Sequence, residues 1–175
     1  MSCTQTLANV DVDCGNNMGG TKEVYLHNRS AITGITLTDG KVSAFTLAAQ
    51  APAAAVLKFR RQASGLTKTW NIDDTSGNKF VTSEMAMRFS KMDTAKRTAI
   101  MAMANAELYT IVKDQNGKYW LLGYDNPVTI SAGGGTTGTA NTDANEYTVT
   151  LSDMSEELPY EVAEAAVTTF LNAGE

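Results

Sequence analysis

The chain has little of what catalytic sites are usually built from. One histidine, His27, stands among 175 residues. No serine, cysteine or aspartate lies in a context such as GxSxG that would give it a histidine base. Flanked by Asn28 and Arg29, His27 reads as a surface or edge residue. Cysteine is confined to Cys3 and Cys14. They are not spaced as CxxC, and one histidine cannot complete a common zinc set with them. Two free thiols are the reading for a reducing cytosol, with a bridge formed after release into an oxidising medium as the alternative. Aromatic residues are 7 % of the chain, which leaves a paired-carboxylate glycosidase only Trp70 and Trp120 as sugar platforms. No window holds the roughly 18 apolar residues of a membrane helix. Met1-Ser2-Cys3-Thr4-Gln5 has neither a basic nor an apolar region, so no signal peptide is expected and synthesis is expected in the cytosol. An enzyme, a cofactor and a membrane partner are therefore not expected.

Basic residues are also in deficit: 14 Lys and Arg against 19 Asp and Glu, a net charge of −5. Affinity for nucleic acid rests on cations neutralising phosphates, so this balance suits a surface that repels DNA better than one that grips it. What is present is a 43 % hydrophobic content, enough for one domain with a sizeable core.

Each remaining pattern has a plain reading. Asp11 and Asp13 alternate with Val10 and Val12 and could offer oxygens to calcium. The spacing lacks the glycine and distal glutamate of a calcium loop, so solvated residues are expected. Gly133-Gly134-Gly135 invites a phosphate-loop reading, but no Gly-Lys-Ser/Thr follows and no helix is expected there; a flexible loop is expected. Lys58, Arg60 and Arg61 alternate on a strand, with Arg88 nearby, as a solvated face or a rim pairing with acids of another subunit. Met85, Met87, Met92, Met101 and Met103 read as core filling.

Along the chain, residues 1–20 form a polar arm. Strands are expected at 22–28, 32–38, 41–47, 56–61, 66–72, 79–89, 108–113, 118–124 and 146–151. Asp39-Gly40 is a hairpin turn, because Asp-Gly accepts the positive φ angles such a turn requires. Over 79–89, Val81, Ser83, Met85, Met87 and Phe89 fall on one face and Thr82, Glu84, Ala86 and Arg88 on the other. A period of two sustained this long predicts a half-buried strand. The pattern changes at Asp93, an N-cap, and predicts one helix over about 94–107 with Ala95, Ala99, Ile100, Met103 and Ala106 on one side. Residues 131–145 read as a loop. The tail is open between helix and strand over 164–171, with Gly174 as a stop. The expected fold is mainly β: a β-sandwich or partly closed barrel with one flanking helix, as a single domain over 21–175 behind the 1–20 arm.

Several stretches together resemble virion structural proteins of phages and prophages of Bacteroidetes-type bacteria, of the tail-tube (major tail) protein type. They are Glu23 to Arg29, Ile32 to Thr36, Gly40 to Leu47, Lys113 to Gly123, the Gly/Thr segment at 133–140 and Thr142 to Leu151. The similarity spans about residues 19–162 and consists of structural positions. It implies a β-sandwich or barrel subunit that forms rings, usually hexameric, which stack into a hollow tube with an acidic lumen. Partners would be further copies of the chain, other tail proteins such as sheath, terminator or baseplate, and passing DNA that is not specifically bound. The place of action would be the virion tail. On that resemblance, 56–72 and 79–89 are the candidate channel lining, with Thr82 and Glu84 facing the lumen. Asp73 and Asp74 at a hairpin tip, the 1–20 arm and Gly133, Gly134 and Gly135 are candidate contacts between rings. Lys58, Arg60 and Arg88 argue against a wholly acidic lumen unless they are paired. Two further readings stand beside it: another virion component (head decoration, neck or fibre attachment), and a carbohydrate-binding β-sandwich displaying Trp70, Trp120 or Tyr124 on one face.

Overall fold

The computed structural model describes residues 8–12 and 14–172. In chain order the strands are β1 (Thr21–Asn28), β2 (Ile32–Thr38), β3 (Lys41–Leu47), β4 (Ala55–Leu57), β5 (Gly65–Asp73), β6 (Asn78–Ser90), β7 (Leu108–Asp114), β8 (Tyr119–Leu122), β9 (Thr129–Thr136), β10 (Glu146–Ser155) and β11 (Tyr160–Val162). Helix α1 (Thr94–Ala104) lies between β6 and β7, and α2 (Glu164–Leu171) follows β11. The strands form a seven-stranded sheet ordered β2-β3-β11-β8-β7-β1-β4 and a four-stranded sheet ordered β5-β6-β10-β9. All pairs are antiparallel except β11 with β3. The sheets do not close into a barrel, so of the two expected architectures the sandwich is the one found.

Two cores explain why the larger sheet reads so apolar. Between the sheets, Val24, Leu26, Val112 and Leu122 of the larger sheet meet Met85, Met87, Phe89, Val149 and Leu151 of the smaller one. On the far side of the larger sheet, Tyr25, Val42, Phe45, Ile111 and Leu121 pack with Ala166, Val167 and Phe170 of α2. A strand covered on both faces sends alternate side chains into different cores, so residues 24–27 of β1 and 108–112 of β7 are buried without a break. β6 has one covered face, and its alternation survives: Val81, Ser83, Met85, Met87 and Phe89 are buried, while Glu84, Ala86 and Arg88 are exposed.

The Asp39-Gly40 turn takes the expected form, with φ of 51° and 74° at its two residues. Helix α1 begins as expected, with the Asp93 carboxylate accepting the Lys96 amide at 2.7 Å. It ends at Ala104, three residues short of expectation. Asn105 closes it, its side-chain amide donating to the Met101 carbonyl at 2.9 Å, and Leu108 is already paired with Val128. Met103 is buried and Ile100 and Ala106 pack on the core, but Ala95 and Ala99 are exposed, so the helix covers less than its pattern suggests. The ambiguous tail resolves into β11 and helix α2.

The junction at Gly123 is tight. Its φ is +93°, and a Cβ there would stand 2.9 Å from the Leu108 carbonyl oxygen and 3.0 Å from Val128 Cγ2. Gly123→Ala combines left-handed strain with overpacking, so a loss of about 2–4 kcal/mol is expected. Urea unfolding would measure it, and a loss under about 0.5 kcal/mol would contradict this account of the turn.

Candidate functional site

Among the described residues no group of three or more His, Cys, Asp or Glu could hold a metal ion. Cys14 is exposed. Cys3, Asp13 and Gly174, which bear on the free-thiol reading and its alternative bridge, the solvated-carboxylate reading and the expected helix stop, lie outside the described residues.

His27 is buried rather than at the surface. Strand β1 is interior, and the odd parity of position 27 sends the ring into the second core. It meets Phe170 edge-on, with ring centroids 5.4 Å apart, and Nε2 has no hydrogen-bond partner. Burial lowers its pKa, a backbone hydrogen bond at Asn28 opposing in part. The native state therefore resists protonation that the unfolded chain accepts. Stability present above the unfolded value of about 6.5 is expected to fall as pH drops below it, by at most about 1.4 kcal/mol per pH unit. Urea titrations at pH 7.5 and 5.5 should show a loss that His27→Leu abolishes. An equal loss in both proteins would assign the pH dependence elsewhere.

A second buried polar group ties the sheets together. Asp153 lies on the inner face of β10, opposite Ser83 of β6. Its Oδ2 accepts the Gly123 amide at 2.8 Å and the Ser155 hydroxyl at 3.0 Å. Burial raises its pKa, and these hydrogen bonds oppose the shift. The group has no access to solvent and serves the turn at Gly123.

The surface with the most consistent chemistry is the outer face of the four-stranded sheet. Register puts Thr67 opposite Glu84 and Thr69 opposite Thr82. Continuing across, Thr148 faces Arg88, Thr150 faces Ala86 and Ser152 faces Glu84. On β9, Gly134, Ala132 and Thr129 complete the rows. Cross-strand partners share a face, so Thr82 and Glu84 sit side by side in a field mostly of hydroxyls and small residues, with the exposed Met154 opposite Thr82 and Phe80 farther along β6. The amide of Asn71 donates to Thr82 Oγ1 at 2.8 Å, which orients that part of the face. Its cation, Arg88, is held by Glu146 at 3.0 Å. Lys68, by contrast, has inner-face parity, with its ammonium 3.6 Å from the centre of the Trp120 ring. Lys58 follows β4 in the other sheet, so the expected lining stretch 56–72, read as two strands, is in fact divided between the two sheets.

The hairpin tip is built as expected, but its two aspartates differ. Asp73 is consumed by the turn: its carboxylate accepts the Thr75 amide at 2.9 Å and the Ser76 hydroxyl at 2.7 Å. These bonds, the Ser76 hydroxyl foremost, lower its pKa. Asp74 is exposed at the tip. The glycines at 133–135 correct the loop reading, because they lie in β9, paired with β10. Gly133 and Gly135 have inner-face parity, and a Cβ on Gly135 would come within 2.8 Å of the Tyr147 ring. The absence of side chains there lets the ring lie on the backbone. The segment remains exposed and forms a sheet edge.

Neither β5 nor β9 has a second strand partner. Beside the free edge of β5, Trp70 and Ile72 are 50 % and 59 % exposed, although Trp70 stands opposite the fully buried Val81. The larger sheet does not cover this end of the inner face. The sequence reading places Trp70 as a sugar platform and both residues within the 56–72 lining stretch, not at an edge; the inner-face parity of both, at the end of a long hairpin, is the signal for the latter. The aromatics do not form one sugar-binding face: Trp120 lies against Lys68, and Tyr124 packs edge-on against Tyr160 at 5.0 Å.

The described helices include none long and apolar enough to cross a membrane. Comparison with protein-family models, with curated proteins and with solved structures returned no match.

Proposed function

We propose that the chain is the structural subunit of a phage tail tube, joining copy to copy into rings that stack around a channel for DNA. The observation that carries this reading is the four-stranded sheet, which has two unpaired edges and a hydroxyl-rich outer face whose one arginine is neutralised. Unpaired edges are templates for further strands. Pairing β5 of one copy with β9 of the next would remove both and continue the sheet around a ring. The outer face, with Thr82 and Glu84, would then line the bore, while the larger sheet and α2 stand outside. Such a lining offers phosphates no free cation, so DNA passes without being held. On this reading the tip at Asp74 and the arm would touch neighbouring rings, and sheath, terminator or baseplate proteins would meet the tube from outside or at its ends.

Negative-stain electron microscopy of the purified chain, with mass photometry, tests this. Rings or stacked rings with a central hole are expected. A monomer at every concentration would overturn the proposal. A closed trimer without a bore would favour a decoration or attachment protein.

A further inference from the structure

The seven-stranded sheet ends on β4, an edge of three residues that pairs only with β1. Beside it runs an apolar groove. One part, of about 320 Å³, is lined by Leu26, Pro52, Leu57, Ala99, Met103 and Leu108. The other, of about 170 Å³, adds Val56, Phe89 and Ile100, with Lys58 and Lys96 at its rim. The two share Leu57, Ala99 and Met103, so they form one trough between β4 and α1. Val56 is 47 % exposed in it.

The edge is basic. Residues 55–61, Ala-Val-Leu-Lys-Phe-Arg-Arg, carry three cations and no acid. Lys96 is engaged by Asp93, whereas Lys58 has no acidic partner among the described residues. Cations along a short edge oppose pairing with a second copy of the same edge. They favour an acidic strand instead, because opposite charges across a strand pair attract.

The chain itself contains a segment with that pattern. Residues 1–20 hold no Lys or Arg, and Val10-Asp11-Val12-Asp13 alternates apolar and acidic. Val10 and Val12 are 95 % and 94 % exposed, which leaves two β-branched side chains wholly in water. The base of the arm is fastened: the Met18 amide donates to Asn116 Oδ1 at 3.0 Å, and the Asn116 side-chain amide donates to Asn17 Oδ1 at 2.9 Å. Residues 10–12 are therefore presented from a fixed point.

We propose that the Val10–Val12 segment of one copy adds as a strand to β4 of a second copy. Val10 and Val12 enter the trough between β4 and α1, and Asp11 meets Lys58 and the arginines that follow it. Backbone bonds to the edge supply affinity, and alternate side chains supply register. The inference rests on the self-assembly proposed above and names a contact distinct from the β5–β9 junction.

The test uses the full chain with p-benzoylphenylalanine in place of Val12, irradiated as an equal mixture of light and heavy isotope-labelled copies. Cross-links between copies, landing on residues 55–60 and 96–103, are the expected result. Lys58→Glu should weaken that cross-link about threefold to fivefold, and Asp11→Lys added to it should restore most of the yield. Cross-links confined to one copy, or falling on other elements of an assembled particle, would overturn the docking while leaving the tube reading standing. A chain that stays monomeric would overturn both.

Discussion

Phe170→Ala is expected to cost about 3–5 kcal/mol, the range for emptying an aromatic site in a core. Phe170 is fully buried. Its ring meets Phe45 at 5.1 Å and His27 at 5.4 Å, both edge-on. It is the residue through which α2 holds the outer face of the larger sheet. Helix α2 has eight residues and no side-chain N-cap, too short to persist without tertiary contacts. Truncating Phe170 should therefore free the helix as well as leave a cavity, and Tyr25, Phe45 and Ile111 would gain access to water. Urea unfolding followed by circular dichroism should show the loss in full. Hydrogen exchange should show early opening of residues 164–171 ahead of the four-stranded sheet. A loss below about 1 kcal/mol would mean that α2 is not a structural layer of the domain.

That layer was only half legible in the sequence, and the reason is physical. Local chemistry was readable: Asp39-Gly40 could form a hairpin turn and did, and Asp93 could cap a helix and did. Alternation on β6 was readable because one of its faces meets solvent. Position 27 was misread because a strand covered on both sides loses the contrast that marks a face, and the two residues after His27 are polar. The Gly133–Gly135 segment was misread for the opposite reason. Its strand is specified by β10 and by the Tyr147 ring over Gly135, not by its own propensity. The division of 55–73 between two sheets depends on pairing with β1 and β6, which lie on either side of it in the chain. The candidate face was more legible than the fold around it, because parity alone set Thr82 and Glu84 together. The state of Arg88 was not legible, since Glu146 lies 58 residues away.

Replacing Trp70 and Ile72 together with alanine is expected to leave the fold intact and abolish assembly at ordinary concentrations. Both side chains are half exposed, so the isolated subunit loses little by their removal; about 1 kcal/mol or less is expected. In a ring the same side chains would be covered, since they flank the free edge of β5 that the proposed junction uses. Buried aromatic anchors at interfaces are commonly worth about 2 kcal/mol or more, so the concentration needed for assembly should rise at least about thirtyfold. The comparison that decides it is thermal unfolding of the monomer beside mass photometry across concentration. An unchanged melting transition with loss of rings places the interface on this hairpin. Rings that persist at the wild-type threshold would remove β5 from the junction. The free edge would then need another explanation, because Trp70 and Ile72 exposed beside an unpaired strand are a liability for any chain that remains alone.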